Sequence, residues 1–379
     1  GHAGPTVRPD PDHAGAGSLG GIVARSLSVV GGGVIGLSVA WRAARQGWSV
    51  RLYDAASGSG ASWVAGGMLA PLSEGWPGEE AVLGLGAASL ERWPDFGKEL
   101  ETGADVSLFT STSSLTVALD GADADDLRKI ADWVGAQGYD MDIVDRTKIR
   151  ELEPVLGPKV RLGLLARSEL AVDNRLLLDA LRQNARAAGV EFTDENVRDL
   201  DDLTTDQVVL AAGLGAPRLW PGLPLRPVKG EILRLGTRPG VTPAPTRTIR
   251  GTVHGRPAYL VPRANGIVLG ATQYETDEDT QVTVGGVRDL IADAEALMPA
   301  IGEYELKEAA AGLRPMTPDN LPLIGRLSDR VVVAAGHGRN GILLTPVTAD
   351  AVVALLDGNT LVEAECANSE RFRNVVRKR

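Results

Sequence analysis

A glycine-rich turn near the start of the chain constrains the fold more than any other feature of its 379 residues. Gly31, Gly33 and Gly36 have the spacing GxGxxG. An apolar strand is predicted over residues 27–30, directly before the turn, and an amphipathic helix over residues 37–46, directly after it. A turn in this context is typical of a site that binds a dinucleotide.

The residues that follow the turn support this interpretation. A second strand is predicted over residues 48–53, and the acidic Asp54 ends it. In such a βαβ unit the glycines let the backbone approach a pyrophosphate, which meets the amides at the start of the helix. Asp54 is expected to accept hydrogen bonds from a ribose. The turn alone does not separate FAD from NAD, and a glycine turn without a ligand is the simplest alternative.

Two further α/β blocks are predicted downstream, and between the blocks the pattern changes. Residues 100–156 and 225–307 show the alternation of strands, with Pro and Gly turns, which indicates a second domain inserted twice. The two downstream blocks comprise a helix at 174–189 with a strand ending at 210, and a strand at 331–333 with a helix at 342–356.

Composition excludes several classes of function. A net charge of −10 and a pI near 5.1 oppose binding to nucleic acid or anionic membranes. The longest apolar runs are interrupted by Gly, Pro or charged residues, so no membrane span is expected. Cys366 is the single cysteine, which excludes an intrachain disulfide and a cysteine-based metal cluster. We expect no metal site and a cytoplasmic location.

A stretch of small residues gives the first indication of which cofactor binds. It comprises Ala61, Ser62, Gly66, Gly67 and Met68 within residues 61–71, and would let the backbone lie against a flat ring. A nicotinamide enzyme has no evident use for such a stretch. It resembles the flavin-contacting segment of the D-amino-acid oxidase superfamily, and specifically of the glycine oxidases of thiamine biosynthesis.

Four more segments resemble this family in the same order, and the resemblance extends over residues 27–356. They are residues 226–230, 259–263, 312–319 and 336–343. The resemblance implies an α/β fold, in which a Rossmann-like FAD-binding domain carries an inserted α+β substrate domain with an antiparallel sheet. The predicted division is residues 1–24 as a disordered extension or tag remnant, 25–99, 157–224 and 308–360 as the FAD-binding domain, 100–156 and 225–307 as the substrate domain, and 361–379 as a polar tail.

The resemblance also implies roles for individual residues. Tyr259 and Arg314 are similar to the pair that binds the substrate carboxylate, Arg339 to a second cation near the flavin, and Met68 to a residue that lines the pocket. As alternatives, Arg314 is a structural ion-pair residue, Tyr259 an aromatic packing residue and Met68 an ordinary core residue. The remaining residues expected to contact FAD are Gly31, Gly33, Val34, Ile35, Gly36, Asp54, Ala61, Ser62, Gly66, Gly67, Val197, Gly213, His337, Gly338, Asn340, Gly341 and Ile342.

The activity implied is oxidation of glycine, or of sarcosine or D-alanine, with FAD and oxygen. FAD is expected to be non-covalent, because no cysteine precedes Cys366 and no histidine lies between His13 and His254. The family further implies a homotetramer and transfer of the glycine imine to a thiazole synthase. Sarcosine oxidase, D-amino-acid oxidase or dehydrogenase, and a flavin-binding sensor without turnover remain as alternatives.

Overall fold

The computed structural model describes residues 7–9, 23–55 and 60–372. These residues contain nine helices and twenty strands. The helices are α1 (Val34–Arg45), α2 (Ala61–Val64), α3 (Glu80–Ala104), α4 (Gly121–Ala136), α5 (Arg146–Leu152), α6 (Asn174–Ala187), α7 (Ala216–Leu219), α8 (Val284–Leu297) and α9 (Thr345–Leu356). The strands are β1 (Val7–Pro9), β2 (Ser26–Val30), β3 (Ser49–Tyr53), β4 (Met68–Leu69), β5 (Phe109–Ser111), β6 (Ser114–Ala118), β7 (Asp142–Asp145), β8 (Leu162–Ala166), β9 (Leu170–Val172), β10 (Glu191–Thr193), β11 (Gln207–Leu210), β12 (Arg226–Gly236), β13 (Thr248–Val253), β14 (Arg256–Arg263), β15 (Gly266–Gly270), β16 (Tyr274–Glu275), β17 (Glu305–Met316), β18 (Leu323–Arg326), β19 (Val331–Ala335) and β20 (Asn359–Leu361).

A six-stranded sheet forms the first layer, in the order β10, β3, β2, β11, β19 and β18. Its strands are parallel except β18, which pairs antiparallel with β19. The central strands β2, β11 and β19 are mostly apolar and almost wholly buried, as expected for a parallel sheet covered on both faces. The predicted Rossmann-like α/β arrangement is confirmed.

The helix after the glycine turn packs on this sheet. Helix α1 buries Leu37, Val39, Ala40 and Trp41 in a core shared with α3, α6 and α9. Gly47 follows the helix with φ +97°, which is the left-handed conformation that commonly ends a helix. The packing fixes the turn at the carboxyl edge of the sheet, where α/β proteins bind their ligands.

A nine-stranded sheet forms the second large layer. Its main path is β16, β12, β15, β14, β13, β6, β8 and β7, and β17 pairs along β12. All pairs are antiparallel except β6 with β13. The predicted strands are present, and both of their faces are covered in this part of the sheet, since Leu260 and Leu269 are buried on one face and Val261 and Val268 on the other.

Two predicted domain boundaries need correction. Strand β8 falls within the segment assigned to the FAD-binding domain, yet it pairs antiparallel with β6 and β7 in the nine-stranded sheet. Most of β17 falls after residue 308, but the strand pairs with β12 along its whole length. Alternation predicts a strand but does not say which sheet it joins, because pairing is a non-local property.

The first residues of two helices also differ from the prediction. Helix α1 begins at Val34 instead of 37, and α9 begins at Thr345 instead of 342, after a short 3-10 turn over Gly338–Asn340. Pro346 therefore lies in the first turn of α9, where a missing amide costs least.

Both predicted terminal segments contain ordered structure. Strand β1, inside the predicted extension, pairs antiparallel with β20, whereas residues 1–6 and 10–22 lie outside the described residues. The predicted polar tail is wrong for residues 361–372, because Leu361, Ala364 and Ala367 are buried in the main core. Residues 373–379 lie outside the described part of the chain.

None of the helices in the described ranges is long and apolar enough to cross a membrane.

Candidate active site

A cavity of about 780 Å³ is lined by residues of both large sheets. This volume is within the range of roughly 300–1,000 Å³ typical of small-molecule and cofactor sites. The residues predicted from the sequence that line it are Gly31, Gly33, Val34, Ile35, Asp54, Ala61, Ser62, Gly66, Gly67, Met68, Val197, Gly213, Tyr259, Arg314, His337, Gly338, Arg339, Gly341 and Ile342.

Two predicted cofactor residues do not line this cavity. A Cβ at Gly36 would lie 1.8 Å from the carbonyl oxygen of Gly31, so Gly36 allows the helix to pack against the turn. Asn340 lines a neighbouring cavity of about 20 Å³, and its backbone N–H donates to the carbonyl of His337 at 3.0 Å. Both residues support the wall of the large cavity from behind.

The glycine turn fits a dinucleotide. Gly31 has φ +117°, and its N–H donates to the carbonyl of Tyr53 at 2.9 Å. A Cβ at Gly31 would lie 2.1 Å from the carbonyl oxygen of Ala211, which leaves no room for a side chain. The carboxylate of Asp54 lies against Gly32, whose Cβ would be 2.2 Å from Oδ2. Backbone and acid are therefore brought together at the cavity wall, as a pyrophosphate and a ribose require.

Side chains from α6 and β14 hold the small-residue segment in place. The buried amide of Asn174 donates to the carbonyls of Ser62 and Trp63, at 2.8 and 3.0 Å. Arg263 donates to the carbonyl of Gly66 at 2.8 Å and to Oδ1 of Asn174 at 3.1 Å. Burial lowers the pKa of Arg263 to about 10, so its guanidinium stays charged near neutral pH. These bonds fix three carbonyls of a segment whose other face lines the cavity.

Sequence reasoning missed this support. Residues 259–263 were recognised as a motif, yet Arg263 was given no role, and Asn174 was seen only as the start of a helix. Neither residue carries a clear local signal, because Arg263 ends its strand and Asn is common at the start of a helix.

Tyr259 and Arg314 lie on the face of the nine-stranded sheet that lines the cavity. The ring of Tyr259 packs between two glycines, since a Cβ at Gly66 would lie 3.1 Å, and one at Gly270 2.4 Å, from Oη. The guanidinium of Arg314 lies over Gly230, where a Cβ would be 2.4 Å from Nη2. Three glycines therefore make room for the two functional side chains.

The electrostatics of this pair suit a bound anion. Burial raises the pKa of Tyr259 against the opposing charges of Arg314 and Arg250, so its hydroxyl stays protonated and able to donate. Among the described residues, Arg314 has one long hydrogen bond, from Nη1 to the carbonyl of Thr272 at 3.4 Å. Most of its five donors are therefore left for a ligand.

An ion pair that was not predicted lines the same cavity. Arg250 of β13 donates to Glu74 at 3.0 Å, and its Nη1 lies 3.3 Å from the sulfur of Met68. Burial raises the pKa of Glu74, but the charges of Arg250, Arg339 and Arg314 outweigh it and hold this pKa below its usual range. The sequence gives no signal that singles out Arg250. The alternation of residues along the strand predicts on which face Arg250 lies, but not that this face lines a cavity.

His337 lies in the wall as a neutral group. It is 5% exposed, its Nε2 is 3.1 Å from Oγ1 of Thr348, and burial lowers its pKa to about 3. It is also the single histidine, and no cysteine is present, among the described residues that line the cavity.

Comparison with known proteins identifies the family. The sequence profile of the DAO family, described as FAD dependent oxidoreductase, matches residues 26–355. The chain belongs to the DAO family of FAD-dependent oxidoreductases. The DAO-family chain is thus an enzyme that uses FAD, and the turn, the small-residue segment and the cavity described above fit this cofactor.

Individual members of the DAO family agree with this assignment. A Rhizobium etli protein provisionally named thiamine biosynthesis oxidoreductase ThiO is 34% identical, over 87% of this chain and 96% of its own length. The bifunctional protein ThiO/ThiG of Synechocystis is 32% identical over 86% of this chain, which spans about half (51%) of that protein. The crystal structure of glycine oxidase from Geobacillus kaustophilus superposes with a TM-score of 0.83 and 27% identity, covering 91% of this chain and 98% of its own.

Proposed function

We propose that the protein oxidises glycine with oxygen and water to glyoxylate, ammonia and hydrogen peroxide. The observation that carries the proposal is the half-buried pair of Tyr259 and Arg314 on the wall of a cavity that fits FAD. A carboxylate is the group that such a pair recognises best, because guanidinium and carboxylate match in planar, two-pronged geometry. Relatives named glycine oxidase support the choice of substrate.

The residues of this chain contribute orientation and charge. Arg314 holds the substrate carboxylate, and the protonated hydroxyl of Tyr259 donates a further hydrogen bond to it. Fixing one end of so small a substrate also fixes the direction of its Cα hydrogen, which is a large part of catalysis. FAD, when bound, accepts the hydride and passes the electrons to oxygen.

Arg339 supplies positive charge in the wall of the cavity. It lies in the 3-10 turn of Gly338–Asn340 and lines the cavity, within the electrostatic reach of Glu74 and Arg314. A cation here stabilises negative charge that develops during oxidation. Met68 lies at the start of β4 and lines the same cavity.

A peroxide-coupled assay of the purified yellow protein with glycine, sarcosine and D-alanine tests the proposal. Glycine is expected to give the highest kcat/KM. A higher value for sarcosine or D-alanine would indicate a sarcosine oxidase or a D-amino-acid oxidase instead. Flavin reduction without peroxide would indicate a dehydrogenase, and unchanged flavin absorbance with all three amines would indicate a binding protein.

We further propose that the glycine imine passes to a thiazole synthase. This rests on the relative from Synechocystis, in which a ThiO part is joined to a ThiG part within one chain. Co-purification of a ThiG protein with the tagged enzyme from its native cells is the expected result. Its absence, together with free release of glyoxylate in the presence of ThiG, would argue against transfer.

A further inference from the structure

The ion pair of Glu74 and Arg250 lies inside the cavity but has no part in holding a single carboxylate. Their side chains are 19% and 16% exposed, and they are joined at 3.0 Å. A largely buried ion pair in a substrate cavity is costly, since two charges lose most of their contact with water without a large gain in stability. Such a pair calls for an explanation in terms of function.

Arg250 lies next to the proposed carboxylate site. It is directly opposite Tyr259 in the antiparallel pairing of β13 with β14, so the two side chains share one face of the sheet. Together with Arg314 and Arg339 it makes three guanidinium groups in this part of the wall. A monocarboxylic substrate needs only one of them as its partner.

Glu74 is held in position from behind. The fully buried Glu169 accepts hydrogen bonds from the amides of Leu72 and Ser73, at 2.9 and 3.0 Å. These bonds fix the backbone directly before Glu74, so its carboxylate is directed to Arg250 by a rigid segment. Arg250 is thereby occupied before any substrate binds.

We propose that Glu74 restricts the site to amines with one carboxylate, by occupying Arg250, which would otherwise bind a second carboxylate of the substrate. A second carboxylate on the substrate would have to displace the carboxylate of Glu74 or lie beside it. Two adjacent negative charges repel each other strongly in a site shielded from water. Glu74 is therefore a specificity-determining residue. This inference rests on the proposed oxidation of small amino acids at Arg314.

The test uses two substrates that differ by one carboxylate. Sarcosine carries a methyl group on the nitrogen of glycine, and iminodiacetate carries a carboxymethyl group there. In Glu74→Gln the shape of the side chain is kept and its charge is removed. We expect the ratio of kcat/KM for iminodiacetate to that for sarcosine to rise by at least about tenfold, because Arg250 becomes free to pair. An unchanged ratio would overturn the inference.

Two variants separate specificity from a general effect on the fold. Glu153 is 2% exposed and pairs with Arg247 at 3.2 Å, and neither residue lines the cavity. Glu153→Gln should leave the ratio as in the parent. Glu74→Gln combined with Arg250→Met should lose the gain, because the cation that binds the second carboxylate is absent. A gain that persists without Arg250 would contradict the assignment.

If Glu74→Gln does not fold, the inference can be tested on the parent protein with FAD bound. Acetate and malonate, which have one and two carboxylates, are titrated while the absorbance of the bound flavin is recorded. Malonate is expected to bind at least about tenfold more weakly, and equal or tighter binding would overturn the inference. A parent that turns over neither glycine nor sarcosine would contradict the proposed function, whereas an active parent with an unchanged ratio in Glu74→Gln would contradict this inference alone.

Discussion

The two ends of the cavity are built by different means. The nucleotide end is formed by backbone, with Gly31 and Gly33 in one turn and Asp54 at the end of the next strand. The substrate end is formed by side chains, chiefly Tyr259 and Arg314, from strands that pair with different neighbours in the nine-stranded sheet. A site made of backbone atoms depends on residues that are close together in the chain. A site made of side chains from several strands depends on how all the strands of the sheet pair.

The largest effect is expected from filling the nucleotide end. A Cβ at Gly33 would meet only Oγ of Ser62, at 3.1 Å, so a side chain there extends into the cavity and leaves the turn folded. Gly33→Val should give a folded, colourless protein, as measured by flavin absorbance and thermal melting. Gly84→Val is the control, because a Cβ at Gly84 has nothing within 4 Å. Full flavin occupancy in Gly33→Val would show that the backbone of this turn does not bind the cofactor.

Removing the cation at the substrate end should be next in size. Arg314→Ala is expected to keep FAD and to lower kcat/KM for glycine by roughly 10²- to 10⁴-fold, which corresponds to about 3–5 kcal/mol for one partner of a buried charge pair. Arg314→Lys should recover only part of this, because an ammonium lacks the planar fork. If Arg314 is a structural residue instead, flavin content and melting temperature fall while turnover per bound flavin stays within threefold of the parent.

A smaller effect is expected from Asn174, which holds the small-residue segment where the nucleotide end and the substrate end of the cavity meet. Asn174→Ala removes the donor to the Ser62 carbonyl and one of the two donors to the Trp63 carbonyl, which keeps Arg175 Nε at 3.2 Å. The loss costs about 1–3 kcal/mol and loosens the segment that lines the cavity. It should shift the absorbance maximum of the flavin and lower kcat by about tenfold. Asn184, on the same helix, donates to the carbonyls of Leu100 and Ala180 away from the cavity. Asn184→Ala should lower only the melting temperature, and equal spectral changes in both variants would count against a positioning role for Asn174.

The smallest effect at neutral pH is expected from His337, which changes stability only in acid. The pKa of His337 is about 3 in the folded protein and ordinarily about 6.5, so above pH 6.5 the residue is neutral in both states. Below pH 6.5 the unfolded chain takes up a proton that the folded chain does not, and the free energy of unfolding falls by about 1.4 kcal/mol per pH unit toward pH 3. His337→Gln should remove this part of the slope. An identical slope between pH 6 and 4 would show that His337 is not buried in its neutral form.

The same contrast explains what the sequence could predict. The GxGxxG turn and Asp54 predicted the nucleotide end and the βαβ unit that carries it, because the spacing of these residues is a local property of the chain. Resemblance to a family indicated Tyr259 and Arg314, which composition alone does not distinguish from other strand residues. Glu74 and Arg250 were missed, and β8 was assigned to the wrong sheet, because both depend on which strands become neighbours.

The central claim is that Arg314 holds a carboxylate while the backbone turn holds the cofactor. The most direct test titrates acetate into the oxidised parent and into Arg314→Ala, both with full FAD occupancy, and follows the flavin absorbance. The parent should show a saturable change that glycine competes with, and the variant should bind acetate at least about 100-fold more weakly. Equal dissociation constants in the two proteins would contradict the account.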